Sequence, residues 1–290
     1  MTQRLLLGFP DYGPQARALA ERLGCEYGQV AVHRFPDGES LVQLPERLPE
    51  EILVCRTLAH PNDKLVELLL TATTARELGA RHLTLVAPYL CYMRQDTAFA
   101  PGQAVSQRII GGWLAGLFDA VVTVDPHLHR TGRLDEAVPA RRAVAASAAR
   151  LIGDFLIQRL RDPMIVGPDA ESEQWVRAVA WPHGLRHVVA HKDRHGDREV
   201  AISIPAFDPH AGDVVLVDDV ASTGETLIEA ARVLKSRGVE RLHAVVVHAL
   251  LIDDALERIR AAGVQNFWST DSIPHPSNVI ELAPLLADAV

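Results

Sequence analysis

Short apolar runs alternate with segments of helical periodicity along almost the whole chain. Residues 5–9 (LLLGF), 164–169 (MIVGPD) and 214–219 (VVLVDD) are typical of buried strands. Each is followed by a segment in which apolar positions recur three or four residues apart, as they do on one face of a helix. Regular alternation of this kind is typical of parallel sheets with helices on both faces. The pattern therefore predicts an α/β protein built from doubly wound parallel sheets.

Two segments interrupt the alternation. Residues 30–35 and 41–45 flank a PDGES turn, which predicts a β-hairpin. Residues 130–142 are polar and have no strong period, so we expect the domain boundary here. The predicted domains are residues 1–139 and 140–276, with a C-terminal tail, 277–290, that packs back on the first. Residues 143–160 (AVAASAARLIGDFLIQRL) are predicted to be helical.

Composition narrows the class of protein. The chain has 290 residues, of which 48% are hydrophobic, and this is enough for a sizeable folded core. The net charge of −8 argues against a broad nucleic-acid surface, although a local cationic pocket remains compatible with it. The cysteines, Cys25, Cys55 and Cys91, are far apart and form no CxxC pair, so we expect buried thiols in a reducing compartment. No apolar run reaches the length of a membrane span or a signal peptide, and we expect a soluble, cytoplasmic protein.

Polar side chains follow four of the predicted strands at the point where each strand ends. In open α/β sheets ligands bind beyond the carboxyl ends of the strands, so these side chains are candidates for one site. The segments are APYLCYMRQD, VVTVDPHLH, MIVGPD and VVLVDD.

The segment VVLVDDVASTGETL, residues 214–227, has the chemistry of a sugar-phosphate site. Its small residues and the start of the following helix let backbone N–H groups approach an anion. The preceding Asp218 and Asp219 suit vicinal hydroxyls, which donate hydrogen bonds to carboxylates. The alternative is a plain strand–turn–helix, with Ser222 or Thr223 as the N-cap and two solvated acids.

Two further groups of side chains are candidates for catalysis and metal binding. Lys192 and Arg194 stand two apart on predicted extended backbone, so both point the same way and can offset charge on a transferring phosphoryl group. A charged, solvated turn is the alternative interpretation. His127 and His129 also alternate after a strand, with spacing that suits a metal, but surface histidines without a metal are commoner.

Residues 214–227 resemble the phosphoribosyl-pyrophosphate motif shared by type I phosphoribosyltransferases and ribose-phosphate pyrophosphokinases. The resemblance implies that Asp218 and Asp219 bind the ribose hydroxyls. It also implies that the 5-phosphate is bound by the following loop, at Ser222, Thr223, Gly224 and Thr226.

Further segments are similar to the pyrophosphokinase branch of that group, in the right order along nearly the whole chain. They are HRFPDGESLVQLPE (33–46), APYLCYMRQDTAF (87–99), VVTVDPHLH, VGPDAESE and the C-terminal STDSIPHPSNVIELAPLLADAV. The resemblance implies that magnesium lies near His127 and Asp169 and that Lys192 and Arg194 belong to a catalytic loop. It implies that ATP is bound by Phe35, Asp37, Glu39, Arg94, Gln95 and Asp96.

The expected function is that of a divergent ribose-phosphate pyrophosphokinase, which acts on ribose 5-phosphate and magnesium ATP at a site between its domains. We expect a homo-oligomer with no nucleic-acid or membrane partner. A phosphoribosyltransferase would not need the segments at 33–46 and 87–99. A non-catalytic regulatory relative is the other alternative. Departures from the common family pattern leave the nucleotide donor and the regulation open, and they lie at Thr97, Glu171, Ser172 and Glu225.

Overall fold

The computed structural model describes residues 3–128, 130–195, 199–209 and 212–290, and for 191–195 and 199–202 it describes the backbone alone. The chain folds into two compact units. The first extends to Ser147 and includes Ser272–Pro274 and Leu282–Val290. The second consists of Ala148–Asp271 and His275–Glu281.

The helices of the two units cover the faces of their sheets. In chain order they are α1 (Gly13–Leu23), α2 (Pro61–Glu77), α3 (Ser106–Leu117), α4 (Leu134–Ala137), α5 (Ala149–Arg159), α6 (Glu173–Ala180), α7 (Glu225–Ser236), α8 (Ala255–Ala261) and α9 (Ala283–Ala289).

A parallel sheet forms the centre of the first unit. Its strands run in the order β2-β1-β5-β6-β7-β8, while β3 and β4 pair with each other as an antiparallel hairpin. The strand bounds are β1 (Arg4–Gly8), β2 (Glu26–Gln29), β3 (Ala31–Arg34), β4 (Ser40–Gln43), β5 (Glu51–Cys55), β6 (His82–Ala87), β7 (Ala120–Val124) and β8 (Arg142–Ala146). The central strands are apolar on both faces, as Ile52, Leu53 and Val54 illustrate with exposures of 0–1%. Helices on both faces of the sheet require this pattern.

The second unit repeats this arrangement. Its parallel sheet has the order β10-β9-β13-β14-β15-β16, and β11 and β12 form an antiparallel hairpin. The strands are β9 (Met164–Gly167), β10 (His187–Val189), β11 (His191–His195), β12 (Glu199–Ser203), β13 (Val214–Ala221), β14 (Leu242–Ala249), β15 (Asn266–Thr270) and β16 (Asn278–Ile280). In both units the hairpin lies at the same place along the chain. The β3–β4 hairpin comes between β2 and β5, and the β11–β12 hairpin comes between β10 and β13. The α/β class with two parallel sheets is thereby confirmed, and the two units share one topology that no repeat in the sequence indicated.

The prediction for the start of the second domain was wrong in one element. Residues 143–146 were predicted to be helical, but they lie in β8, which pairs in parallel with β7. Alanine favours helices, and in this segment the pairing available at the sheet edge overrides that preference. The boundary between the units therefore follows Ser147, not residue 139.

The C-terminal segment is shared between the units. Residues His275–Glu281 belong to the second unit, whereas Leu282–Val290 belong to the first. The guanidinium of Arg142 in β8 donates hydrogen bonds to the carbonyl oxygens of Ala289 and Val290, each at 2.7 Å. Residues 277–290, predicted as one tail on the first domain, thus divide after Glu281.

Two cysteines lie in the interior of the first unit. Cys55 and Cys91 are buried, and Cys25 is partly buried. Burial raises the pKa of the Cys91 thiol to about 12, so this side chain is a neutral core residue at physiological pH. Among the described residues, no helix is long and apolar enough to cross a membrane.

Candidate active site

The turn of the β3–β4 hairpin carries the first group of predicted site residues. The backbone N–H of Phe35 donates to the carbonyl of Glu39 at 2.8 Å, and the Glu39 N–H donates to the Asp37 carboxylate at 3.1 Å. Gly38 has a φ of 94°, a conformation that a side chain would strain. Phe35 is 40% exposed, which is unusual for a phenylalanine, and its ring meets that of His33 edge-on. The hairpin presents an exposed aromatic face and two exposed carboxylates together.

The segment between β6 and α3 brings the second group to the carboxyl end of the same sheet. Arg94 is exposed. Gln95 is half-buried, and its side-chain oxygen accepts from Ser106 Oγ at 2.6 Å. Asp96 is buried, and its two carboxylate oxygens accept from the backbone N–H and a guanidinium nitrogen of Arg130, at 3.0 and 2.8 Å. Burial would raise the pKa of Asp96, but these bonds and the charge of Arg130 outweigh it and lower the pKa. Asp96 therefore holds the loop after β7 in place.

His127 follows β7, two residues after Asp125. Asp125 is buried and has a φ of 35°, which places it in the left-handed region that non-glycine residues rarely adopt. Backbone strain of this kind is concentrated at functional sites. His127 is half-buried at the carboxyl end of the sheet. His129, the other member of the predicted pair, lies outside the described residues.

Three carboxylates meet at the carboxyl ends of β9 and β13 in the second unit. Asp219 is buried and Asp218 is half-buried in β13, and Asp169 follows β9. Burial, and then the negative charges of Asp219 and Asp169, raise the pKa of Asp218 well above its usual range. The chain thus gathers like charges in one place, and their repulsion favours a ligand that donates hydrogen bonds or carries positive charge.

The loop that contains Asp169 is ordered by its own side chains. The Asp169 carboxylate accepts hydrogen bonds from the N–H groups of Glu171 and Ser172, at 3.1 and 3.3 Å, and so caps a short helical turn. Ser172 is fully buried and donates from its hydroxyl to the Asp169 carbonyl at 2.6 Å. Glu171 therefore contributes its backbone N–H to this turn, and Ser172 contributes both its backbone N–H and its hydroxyl.

The phosphate-type loop runs from Ser222 to the first turn of α7. Helix α7 begins at Glu225 with no side-chain cap, so its first N–H groups remain available to an anion. Gly224 precedes the helix with a φ of 74°, and a Cβ atom there would lie 2.9 Å from Ile259 Cδ1. Thr223 is exposed, while Ser222 and Thr226 are partly buried.

Glu225, which the sequence left unexplained, has a partner. Its carboxylate forms an ion pair with the guanidinium of Arg258 in α8. Hydrogen bonding to Glu225 and its charge raise the pKa of Arg258. The extra acid beside the loop is therefore balanced by a cation from the neighbouring helix. The signal that could have located it is the basic character of α8, which carries Arg258 and Arg260.

Lys192 and Arg194, the predicted catalytic pair, lie on β11. The strand pairs antiparallel with β12, with Lys192 opposite Ile202 and Arg194 opposite Val200. The backbone of this segment is thus extended, as predicted. Their side chains lie outside the described part of the structure.

Sequence reasoning missed a network of charged side chains beneath the first hairpin. Arg56 follows β5, is almost fully buried and pairs with Asp11 and Glu67. Glu67 also accepts a hydrogen bond from Ser40. A charged residue directly after an apolar strand, as Arg56 is after ILVC, is the one signal that could have indicated it.

In the part of the chain that the structure describes, no group of three or more His, Cys, Asp or Glu side chains is arranged to hold a metal ion by itself. His127 and Asp169 belong to different units.

The chain matches two family models and many curated proteins. The model of the N-terminal domain of ribose phosphate pyrophosphokinase matches residues 8–116, and the phosphoribosyl transferase domain matches residues 134–277. The ribose-phosphate pyrophosphokinase of Methanopyrus kandleri is 38% identical over 278 residues, 94% of each chain. That of Thermococcus kodakarensis is 32% identical over 263 residues, 91% of this chain and 92% of its own.

A solved structure shares the fold over almost the entire chain. The crystal structure of phosphoribosylpyrophosphate synthetase from Mycobacterium smegmatis has a TM-score of 0.84. The match covers 99% of this chain and 97% of that chain, at 22% sequence identity.

Proposed function

The chain belongs to the ribose-phosphate pyrophosphokinase family, and from this premise we propose that it converts ATP and ribose 5-phosphate into phosphoribosyl pyrophosphate and AMP. The observation that carries the proposal is the Asp218–Asp219 pair on β13, followed after residues 220–224 by the start of α7, which has no side-chain cap. Hydroxyl acceptors next to an anion site are what a ribose 5-phosphate requires.

Asp218 and Asp219 accept hydrogen bonds from the ribose 2- and 3-hydroxyls in this proposal. Burial, and then the charges of Asp219 and Asp169, raise the pKa of Asp218, and each sugar hydroxyl would place a partial positive charge against a carboxylate there. The 5-phosphate is bound by the N–H groups at the start of α7 and by the residues Ser222, Thr223, Gly224 and Thr226.

The nucleotide is assigned to the first unit. The exposed ring of Phe35 offers a surface on which adenine stacks, and Asp37 and Glu39 accept from its amino group or from the ribose. Arg94 and Gln95 approach the phosphates from the segment after β6. Asp96 contributes by holding the loop of Arg130. A phosphoribosyltransferase has no need of the ATP-type segments.

Magnesium fits the donor set of the second unit. Asp169 offers a carboxylate, the ligand type that this hard cation prefers, and magnesium is usually bound by one or two carboxylates together with substrate phosphates. When bound, magnesium would neutralise charge on the phosphates of ATP. We assign His127 and Asp169 as the residues nearest to it.

Pyrophosphoryl transfer then requires positioning and charge stabilisation, not a covalent enzyme intermediate. The anomeric oxygen of ribose 5-phosphate forms a bond to the β-phosphorus of ATP. The bond from that phosphorus to the oxygen bridging to the α-phosphorus breaks, AMP leaves and the hydroxyl proton is released. Lys192 and Arg194 are assigned to stabilise the charge that develops on the transferred group.

The direct test is an assay of the purified protein with ATP, magnesium and ribose 5-phosphate, with chromatographic detection of AMP and phosphoribosyl pyrophosphate in equal amounts. Reactions without ribose 5-phosphate are the control for simple ATP hydrolysis. Consumption of phosphoribosyl pyrophosphate with a nucleobase would identify a transferase instead. Binding of both substrates by calorimetry without any product would identify a regulatory relative.

We further propose that the protein forms a homo-oligomer. Helix α2 exposes three large apolar side chains, Val66, Leu69 and Leu70, at 53%, 38% and 36%. An exposed group of apolar side chains on one helix is typical of a surface that contacts another protein chain.

A further inference from the structure

A buried carboxylate that the proposed chemistry does not use lies beneath the nucleotide hairpin. The side chain of Glu67, on α2, has no exposed surface. Its Oε1 accepts a hydrogen bond from Ser40 Oγ at 2.9 Å and lies 3.4 Å from Nη2 of Arg34. Its Oε2 lies 2.5 Å from Nη2 of Arg56. Side chains from both strands of the hairpin and from the end of β5 therefore meet on one carboxylate.

The two hairpin residues that Glu67 contacts have a special place in the hairpin. Arg34 and Ser40 are opposite each other and form the last pair of the β3–β4 ladder before the turn. The turn itself is closed by the bond from the Phe35 N–H to the Glu39 carbonyl. A shift of the Arg34–Ser40 pair must therefore shift the turn that carries Phe35, Asp37 and Glu39.

Glu67 forms an ion pair with Arg56, which other side chains surround in turn. The Arg56 side chain is 4% exposed, its Nε lies 3.4 Å from Asp11, and its guanidinium lies 3.9 Å from the centre of the Phe9 ring. Lys64 pairs with the other oxygen of Asp11 at 2.7 Å. A buried ion is tolerated only when its partners are fixed around it, so Glu67 has little freedom to move.

The ends of the corresponding strands in the second unit carry a different set of charges. In both sheets the second and third strands in order, β1 with β5 and β9 with β13, have charged residues in or shortly after their carboxyl-terminal halves. In the second unit these include Asp169 and Asp218, whose like charges suit a ligand. In the first unit Asp11 and Arg56 neutralise each other. The charged side chains after β1 and β5 therefore pair with each other, and through Glu67 they contact the hairpin.

We propose that Glu67 is a positioning residue for nucleotide binding: its buried carboxylate, held by Arg56, fixes the Arg34–Ser40 pair and thereby the turn that carries Phe35, Asp37 and Glu39. The inference rests on the proposed assignment of ATP to this hairpin. It makes Glu67, Arg56 and Ser40 determinants of nucleotide affinity although none of them is assigned a contact with the nucleotide.

The test compares steady-state kinetics of the purified full chain and two variants. Ser40→Ala removes only the hydroxyl bond to Glu67, and it is expected to raise KM for ATP roughly 2- to 12-fold, the loss that corresponds to one typical net hydrogen bond. KM for ribose 5-phosphate stays within about twofold of wild type. Ser40→Thr keeps a hydroxyl on a β-branched side chain suited to a strand, and it should restore most of the affinity. Glu67→Gln is expected to raise KM for ATP in the same selective way.

Thr71→Val is the matched control for loss of stability. Thr71 is fully buried one turn further along α2, and its hydroxyl donates a hydrogen bond to the backbone carbonyl of Glu67 at 2.8 Å. This variant should lower Tm while leaving KM for ATP unchanged. In the double variant Ser40→Ala/Glu67→Gln, the effects on KM for ATP should be less than multiplicative, because both act through one contact.

The outcomes separate this inference from the proposed function. A wild-type protein that releases no AMP contradicts the proposed function itself. An active wild type in which Ser40→Ala leaves KM for ATP unchanged, or raises both KM values equally, overturns the role of Glu67 alone. Should Glu67→Gln fail to fold, Ser40→Ala and Ser40→Thr still decide the question.

Discussion

At the scale of single residues, the candidate site brings several carboxylates close together, which is electrostatically unfavourable. Asp218 lies beside Asp219 and Asp169, and its pKa is raised by burial and by both neighbours. A carboxyl group whose pKa is higher in the folded than in the unfolded chain stabilises the fold at low pH. That contribution is lost as the pH rises through the raised pKa. Function therefore costs stability at neutral pH, as is common for active sites.

Asp218→Asn should consequently raise Tm at pH 7–8 by a few degrees, since each pKa unit corresponds to about 1.4 kcal/mol. The gain should shrink as the pH is lowered toward the ordinary pKa of an aspartate. Scanning calorimetry across this range measures it, and the same variant should lose ribose 5-phosphate binding. Asp253→Asn, at an exposed acid of the same unit, serves as the control. A pH-independent gain would contradict the assigned cause.

Gly224 combines two constraints that can be separated. It has a φ of 74°, and an added Cβ would lie 2.9 Å from Ile259 Cδ1. Gly24, at the end of α1, has a φ of 62° and open space around the same position. Gly24→Ala should therefore cost only the backbone term of about 1 kcal/mol, whereas Gly224→Ala should cost more and weaken phosphate binding. Equal losses of Tm in the two variants would show that the contact with Ile259 is unimportant.

At the scale of elements, the start of α7 functions as an anion site only if nearby charges are balanced. Glu225 stands in the first turn, where a carboxylate interacts well with the helix dipole but competes with a bound phosphate. Its ion pair with Arg258 links α7 to α8 and offsets that charge. An exposed pair of this kind contributes little to stability, so its role is the potential at the loop.

Arg258→Ala is therefore expected to raise KM for ribose 5-phosphate about two- to fivefold and to leave Tm nearly unchanged. Adding Glu225→Gln to that variant should restore the affinity, because it removes the unbalanced acid. Kinetics at low and at high salt provide a further check, since screening should reduce the effect. If the double variant is weaker than Arg258→Ala, Glu225 must assist binding in another way.

At the scale of the whole molecule, one topology is used twice with different chemistry. Each unit has the same strand order and an inserted hairpin at the same place. In the second unit Asp169, Asp218 and Asp219 gather at the strand ends, and burial together with the charges of Asp219 and Asp169 raises the pKa of Asp218. In the first unit the charged residues after β1 and β5 form ion pairs, Arg56 with Asp11 and Arg56 with Glu67, and Glu67 also contacts the hairpin.

The exposed apolar side chains of α2 predict that copies of this chain associate. Leu69→Glu places a charge among Val66, Leu69 and Leu70, and it is expected to shift the protein to smaller species in light scattering after gel filtration. Leu78→Glu, at an exposed leucine just beyond the helix, is the control. A wild type that is monomeric at all concentrations would contradict the proposed oligomer.

The sequence by itself determined the α/β class, the β3–β4 hairpin, most helices and the family, because these depend on local periodicity and on contiguous motifs. It could not place β8, since alanine-rich residues 143–146 adopt a strand only through pairing with β7. Nor could it reveal the partner of Glu225 or the Arg56–Glu67 pair, whose members are 33 and 11 residues apart. Tertiary structure alone decided these features, because the free energy of a buried or paired charge depends on which distant residues surround it.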